Sequence, residues 1–412
     1  MVDVEHLALQ RSRYPEMSDA DFRFMLQQID GRQRTAHKLP TFAAWDDWWY
    51  PVRLSCEQCS SEKTARYKAQ VIAAYPCLAN LPANALSVAD LTGGYGVDSY
   101  FMSRQFGRVD YVERNEELCH IAEHNFALHA PNIRVHNTDA ESYLHHMQPV
   151  DVIYMDPARR DKNGGKVFRI EDCEPNLLAL LPVLRTKAKV LLLKLSPMLD
   201  ITAAIQALSG LMWDTHVVAV SNEVKEVLLI GATFPINVHS TDSDVPTIRS
   251  PHSEHENMAG QLTVINGEPI SPIDGTHAST LSGQPLTVPR NAEREAIPTW
   301  ADCIDRYLYE PNAAILKAGL YNYVSAHWHI DKLAPNTHLY TSSALLPDFP
   351  GRVWEVCTPD TPLRQCNIVT RNYPLAPDQL KKKLKVRDGG DLYIIAARLG
   401  NKPMHVIAKR VH

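Results

Sequence analysis

Apolar positions along this chain fall into short blocks whose spacing changes character along its length. Near the start, Phe22, Phe24, Met25, Leu26 and Ile29 recur at helical spacing, which predicts a helical region over residues 1–58. Over residues 59–235 the pattern becomes compact apolar runs alternating with longer helical stretches. Strands are predicted at Leu86–Leu91, Val109–Glu113, Ile133–Ala140, Val150–Met155 and Lys189–Ser196. Two further runs, Thr215–Val220 and Glu226–Ile230, flank Ser221-Asn222-Glu223 and read as an antiparallel hairpin. Strands alternating with helices predict an α/β fold built on a doubly wound sheet. Residues 236–298 are rich in Ser, Pro, His, Asp and Thr, with one strand, Gln261–Ile265, turning at Asn266-Gly267. A linker or small β-rich module fits them. From residue 299 a separate domain is expected, with a helix over Asn312–Tyr323 introduced by Glu310-Pro311. Extended runs follow it at Val353–Cys357, Cys366–Thr370, Leu392–Ala397 and His405–Lys409.

The first strand runs into three glycines within four positions, Gly93, Gly94 and Gly96, and then into a helix expected over Ser99–Phe106. Such a corner lets backbone approach a ligand closely and offers free N–H groups at a helix start. A dinucleotide fingerprint begun at Gly94 needs glycine at 99, where Ser99 stands, so a pyrophosphate ligand is disfavoured. The second strand ends at Glu113, spaced to take ribose hydroxyls. The third ends in Asp139, and the fourth in Asp156-Pro157, where proline removes the chain from the ladder. Three acids are thereby set on successive strand tips, the edge at which ligands of this fold bind.

On these residues, roughly 60–235 resemble the class I S-adenosylmethionine-dependent methyltransferases. The resemblance implies a Rossmann-like methyltransferase sheet, parallel with an antiparallel terminal strand. It also implies a donor site in which Asp90, Thr92, Gly93, Gly94 and Gly96 hold the methionine part, Glu113 the ribose and Asp139 the adenine amino group. Asp156-Pro157-Ala158-Arg159 looks like the catalytic loop of nucleic-acid methyltransferases, which binds an exocyclic amino group of a base. Ala158 replaces the second proline and Arg159 the aromatic residue of that pattern, and a guanidinium plane can also stack on a base. By the same resemblance the helix opened by Ser60-Ser61-Glu62, which carries Arg66, Tyr67 and Lys68, closes over the donor.

Charge separates the two ends of the chain. The 412 residues carry a net −5, yet from Arg364 onward eleven basic side chains face three acidic ones. That segment is +8 and residues 1–363 are −13, a basic footprint suited to a phosphate backbone. Lys381, Lys382, Lys383, Lys385 and Arg387 form its densest part, and Arg160 and Lys162 lie in a second basic loop beside the catalytic one. Either group could also be an ordinary solvated face. The C-terminal segment resembles the THUMP-like α+β domain of some bacterial methyltransferases through Tyr309-Glu310-Pro311-Asn312, Gly319-Leu320 and Leu380–Lys385. That resemblance implies RNA, tRNA or rRNA, as the partner, although THUMP domains mostly precede the catalytic domain.

The remaining features exclude more than they add. No run is long enough to span a membrane, the start lacks a signal peptide, and eight scattered cysteines suit a reducing compartment, so a cytoplasmic protein is expected. No second pair at ligand spacing follows Cys56-x-x-Cys59, and His120, His124 and His129 read as a solvated helix face, so no metal is expected. Trp45, Trp48, Trp49 and Tyr50 are expected to form a small core or lid, with a base-stacking platform as the alternative. An RNA base N-methyltransferase is the leading expectation. A donor-sensing protein, a methyltransferase for proteins or small molecules, and a nicotinamide oxidoreductase are the alternatives.

Overall fold

The computed structural model describes residues 2–159, 169–233, 260–269, 281–359 and 363–411. The chain divides into two compact units. The first holds Met1–Val220, Lys225–Met258 and Gly267–Gly283, and the second Ser221–Val224, Ala259–Asn266 and Gln284–His412. Among the described residues no helix is long and apolar enough to cross a membrane.

The first unit is built on strands β1 (Ser87–Asp90), β2 (Arg108–Glu113), β3 (Ile133–Asn137), β4 (Val150–Met155), β5 (Ala188–Leu195), β6 (Trp213–Val220) and β7 (Glu223–Ala232). Their order across the sheet is β6-β7-β5-β4-β1-β2-β3. Neighbours among β1 to β5 run parallel, and β7 pairs with β5 antiparallel. The hairpin between β6 and β7 turns at Ser221 and Asn222, both at positive φ, the primed geometry that matches strand twist. β4 and β5 are apolar on both faces because helices cover both sides of a parallel sheet. One core gathers Ile153, Met155, Leu191, Leu193 and Leu229 from the strands with Leu144, Leu180 and Leu184 from helices.

The helices of this unit start where polar caps permit. They include α1 (Asp19–Thr35), α2 (Glu62–Ala73), α3 (Val97–Ser103), α4 (Glu116–His129), α5 (Ala140–His146), α6 (Leu177–Lys187) and α7 (Ile201–Ala207). Ser61, Asn115 and Asp139 accept backbone N–H bonds at the starts of α2, α4 and α5. The helix after the glycine turn begins at Val97, two residues before the expected Ser99, because Gly96 at φ 84° serves as its N-cap.

The second unit holds a seven-stranded sheet of β8 (Tyr307–Pro311), β9 (Asp331–Lys332), β10 (Tyr340–Ser342), β11 (Gly351–Val356), β12 (Asn367–Thr370), β13 (Leu392–Leu399) and β14 (Lys402–Arg410). Its order is β9-β10-β8-β11-β14-β13-β12. The helix expected over Asn312–Tyr323 is two helices, α8 (Ala313–Ala318) and α9 (Tyr321–Trp328). Gly319 in the left-handed region ends the first, and Asn312 caps it, while Glu310 and Pro311 belong to β8. The expected turn at Asn266-Gly267 is absent. The strand continues over Gln261–Pro269, and Leu262 pairs with Val288 of a later strand, so the connection lies further on.

Candidate active site

Glycine is required at the turn by its surroundings. A Cβ on Gly93 would lie 2.3 Å from the Tyr111 ring, and Gly96 combines positive φ with a Phe126 ring 2.6 Å from where its Cβ would be. The Tyr111 hydroxyl donates to the Gly94 carbonyl at 2.6 Å and fixes the loop from behind. Asp90, buried at the tip of β1, accepts from the Thr92 N–H at 3.1 Å and from the Ser99 hydroxyl at 2.6 Å. Ser99, which stands where a dinucleotide fingerprint needs glycine, thus ties helix α3 to strand β1. Burial pushes the Asp90 carboxyl up to about 7, with the Ser99 bond acting the other way.

The next three strand tips converge. Glu113 accepts from the Gly94 N–H at 2.9 Å with one oxygen and from the Asn115 N–H at 2.8 Å with the other. Asp139 caps α5 through the Ser142 N–H and hydroxyl, at 2.8 and 2.7 Å, and these bonds hold its carboxyl below the usual range. The Asp156 N–H donates to the Thr92 hydroxyl at 2.6 Å. Glu113, Asp139, Asp156, Pro157 and the glycine turn all line one cavity of about 820 Å³. That volume suits a ligand of cofactor size.

The sequence reading left out what stands behind Asp156. Its carboxylate is paired with the Lys194 ammonium of β5, and both side chains border the cavity. Burial opposes the charge on Lys194, but Asp156, then Asp98 and Glu226, more than reverse this and raise it well above the ordinary lysine value. A second lysine, Lys68 of α2, is fully buried and lies 2.7 Å from Glu226 and 3.2 Å from Asp98. Asp98 also accepts from the Ser60 and Tyr154 hydroxyls at 2.7 and 2.8 Å. Burial would raise the Asp98 carboxyl, yet Lys68 and Lys194 overcome that and lower it. Two lysines and three carboxylates therefore form one alternating cluster at the wall of the cavity. The available signal was Lys194 itself, a charge inside the run Leu191-Leu192-Leu193-Lys194-Leu195.

The N-terminal region packs against the back of this turn. Trp48 is buried, stacks on Phe42 with ring centroids 4.0 Å apart, and donates to the Tyr95 hydroxyl at 2.8 Å. The core-or-lid reading of the tryptophans holds. The solvated reading of the histidines holds for the exposed His120 and fails for the other two, because His124 stacks on Trp49 at 3.6 Å and His129 on Trp45 at 4.0 Å. Imidazole rings cover the indole faces that the next helix would otherwise leave open. Cys56 is buried, with its thiol against the Pro51 carbonyl, and Cys59 lines the cavity. No cluster of metal-ligating side chains occurs among the described residues.

The backbone of Ala158–Arg159 pairs with Cys173–Glu174. The Arg159 side chain, Arg160 and Lys162 lie outside the described residues. Lys381, Lys382, Lys383, Lys385 and Arg387 belong to the second unit, on and just after helix α10 (Pro377–Leu384). Leu380 of that helix is buried while Lys382, Lys383, Lys385 and Arg387 are exposed, and Lys381 pairs with Asp388.

Residues 307–350 match a family described as a ferredoxin-like domain, and residues 358–410 one described as THUMP domain-like. No curated protein matches the chain. Among solved structures, a "putative methyltransferase from Porphyromonas gingivalis W83" is 29% identical with a TM-score of 0.74, over 96% of this chain and 92% of that one. A "putative RNA methyltransferase" from Pyrococcus horikoshii is 13% identical with a TM-score of 0.33, over 47% of this chain and 95% of that one. A precorrin-6y C5,15-methyltransferase from Geobacter metallireducens GS-15 is 17% identical with a TM-score of 0.29, over 42% and 86%. Those two distant likenesses carry no argument here. The near-complete match at 29% identity and the sheet order give the chain a methyltransferase fold, and the family match over residues 358–410 gives it a THUMP-like C-terminal domain.

Proposed function

We propose that this methyltransferase uses S-adenosylmethionine to modify RNA, tRNA or rRNA, in the cytoplasm. Residues 59–235 would carry the chemistry and residues 299–412 the capture of substrate. One observation supports the reading above others: Glu113, Asp139 and Asp156 line a single cavity with the glycine turn. The donor fits these residues. The backbone at Gly93 is bare because the Tyr111 ring leaves no space for a side chain, and Glu113 is already oriented by two N–H donors. Asp90, Thr92, Gly93, Gly94 and Gly96 would hold the methionine part, Glu113 the ribose and Asp139 the adenine edge. When bound, S-adenosylmethionine supplies an electrophilic methyl group on a sulfonium.

The protein's own part is to align the acceptor and keep water away, which suits a recessed cavity. Asp156, Pro157 and Arg159 would border the acceptor. Taken alone, Asp156-Pro157 suits an exocyclic amino group of a base, and Lys194 alters that balance. RNA capture is supported by the THUMP-like match and by the exposed Lys382, Lys383, Lys385 and Arg387, with Lys381, Arg160 and Lys162 as further basic candidates. The test is transfer of labelled methyl from S-adenosylmethionine into fractionated tRNA and rRNA. Incorporation that falls by about a hundredfold in Asp156→Ala supports the proposal. Donor binding without incorporation into any RNA fraction would sink it in favour of a donor sensor. A thermal shift with NAD rather than S-adenosylmethionine would sink it in favour of an oxidoreductase.

A further inference from the structure

Lys194 at the cavity wall is unexplained by methylation of an amine. As an amine attacks a methyl group its nitrogen gains positive charge, and its hydrogens need acceptors. An ammonium at this position does the opposite on both counts. Lys194 occupies an Asp156 oxygen that would otherwise accept from the amine, and its charge repels the charge that develops. A hydroxyl acceptor has the reverse requirement. Its oxygen gains electron density as the proton leaves, and a fixed cation beside it favours that state.

We infer that Lys194 makes this an oxygen-methylating centre, whose acceptor is a ribose hydroxyl of the RNA chain rather than the amino group of a base. The inference rests on the RNA methyltransferase reading above and names its acceptor. In the step, the hydroxyl oxygen bonds to the methyl carbon as the carbon–sulfur bond breaks, and that bond's electron pair stays on sulfur as a neutral thioether. The hydroxyl proton passes to the Asp156 carboxylate, whose side chain is 38% exposed and returns the proton to water. Lys194, whose side chain is 14% exposed, remains an ammonium throughout.

The rest of the cluster explains how that ammonium is kept in a buried place. Asp98 and Glu226 add their charge to that of Asp156 at this ammonium, and Lys68 pairs with those two carboxylates at 3.2 and 2.7 Å. Lys68 is absent from the cavity lining and is a positioning residue, acting through Asp98 and Glu226.

Two measurements on the full chain test this. The first is mass spectrometry and alkaline hydrolysis of RNA methylated by the wild-type protein. Label in alkali-resistant dinucleotides, the mark of a blocked ribose hydroxyl, is the expected result. Label in a methylated base overturns the inference and leaves the RNA methyltransferase reading standing, whereas absence of label in any RNA overturns both. The second needs no turnover: calorimetric affinities for S-adenosylmethionine and for its thioether product, compared between wild type and Lys194→Met. Loss of the ammonium should shift the ratio toward the sulfonium donor by about threefold or more. Lys194→Arg, which keeps the charge, should leave the ratio near wild type. A ratio unchanged in Lys194→Met would show that Lys194 does not face the methyl group, and would overturn its proposed role.

Discussion

Lysine does opposite work in the two units of this chain. Around the strand-tip cavity Lys68 is fully buried and Lys194 largely so, and each is met by carboxylates fixed on strands and helices. On the THUMP-like unit Lys382, Lys383 and Lys385 stand in solvent at the end of a helix anchored by Leu380. A buried ion must recover its lost hydration through particular partners, so its position is specified to within a bond length. A solvated one is screened within about 10 Å and acts through number and spread. The first arrangement suits chemistry at one atom, and the second suits a long polyanion.

The comparison can be broken by mutation, most severely on the buried side. Lys68→Met would leave Glu226 and part of Asp98 without their counter-charge, and is expected to destabilise the first unit by about 3–5 kcal/mol in urea melts. A loss below about 1 kcal/mol would mean that water reaches the cluster. Next in size is a pH effect at His216, whose ring accepts or donates at 2.8 Å to the Tyr67 hydroxyl. Burial lowers it from 6.5 to about 4, with Asp214 opposing. The unfolded chain then binds the proton more tightly, so this stability is present above pH 6.5 and is lost as pH falls toward 4. The difference between wild type and His216→Gln over that window should reach at most about 3 kcal/mol.

Ser99→Ala should cost about 1–3 kcal/mol by depriving the buried Asp90 oxygen of its donor, read as a lowered Tm with the donor turn loosened. The smallest stability effect belongs to the exposed side. Lys382→Ala, Lys383→Ala and Lys385→Ala together should change stability by no more than about 0.5 kcal/mol each. The same triple change should flatten the salt dependence of RNA affinity by about 0.7 in log–log slope for each phosphate contact removed. An unchanged slope would place the RNA surface elsewhere.

The strand tips are legible in the sequence because an acid placed where an apolar run stops must lie at the end of its strand, whatever that strand pairs with. Glu113, Asp139 and Asp156 needed nothing more. The Lys194 pair did not have this property. Its meeting with Asp156, 38 residues away, depends on the β4–β5 register that sets Met155 beside Leu193. Glu226 reaches the cluster through a second register, antiparallel, that sets Val227 beside Leu195. Pairings of that range are fixed by packing of the whole sheet and leave no local mark. His124 and His129 of α4 misled for a related reason: helical spacing shows that they share a face and says nothing of the tryptophans that cover it. Gly319 was the opposite case, a local signal outweighed by the helical pattern on both sides of it.

The hydrogen bond from the Trp48 indole to Tyr95 bears on how this protein can be dissected. The first sixty residues form the back of the glycine turn, and Ser55, Gln58, Cys59 and Ser60 border the cavity itself. A shortened chain begun at Glu62 would bare the ring faces of Tyr100 and Phe101 to water. Trimming from the front should therefore give an aggregating fragment in place of a minimal catalyst.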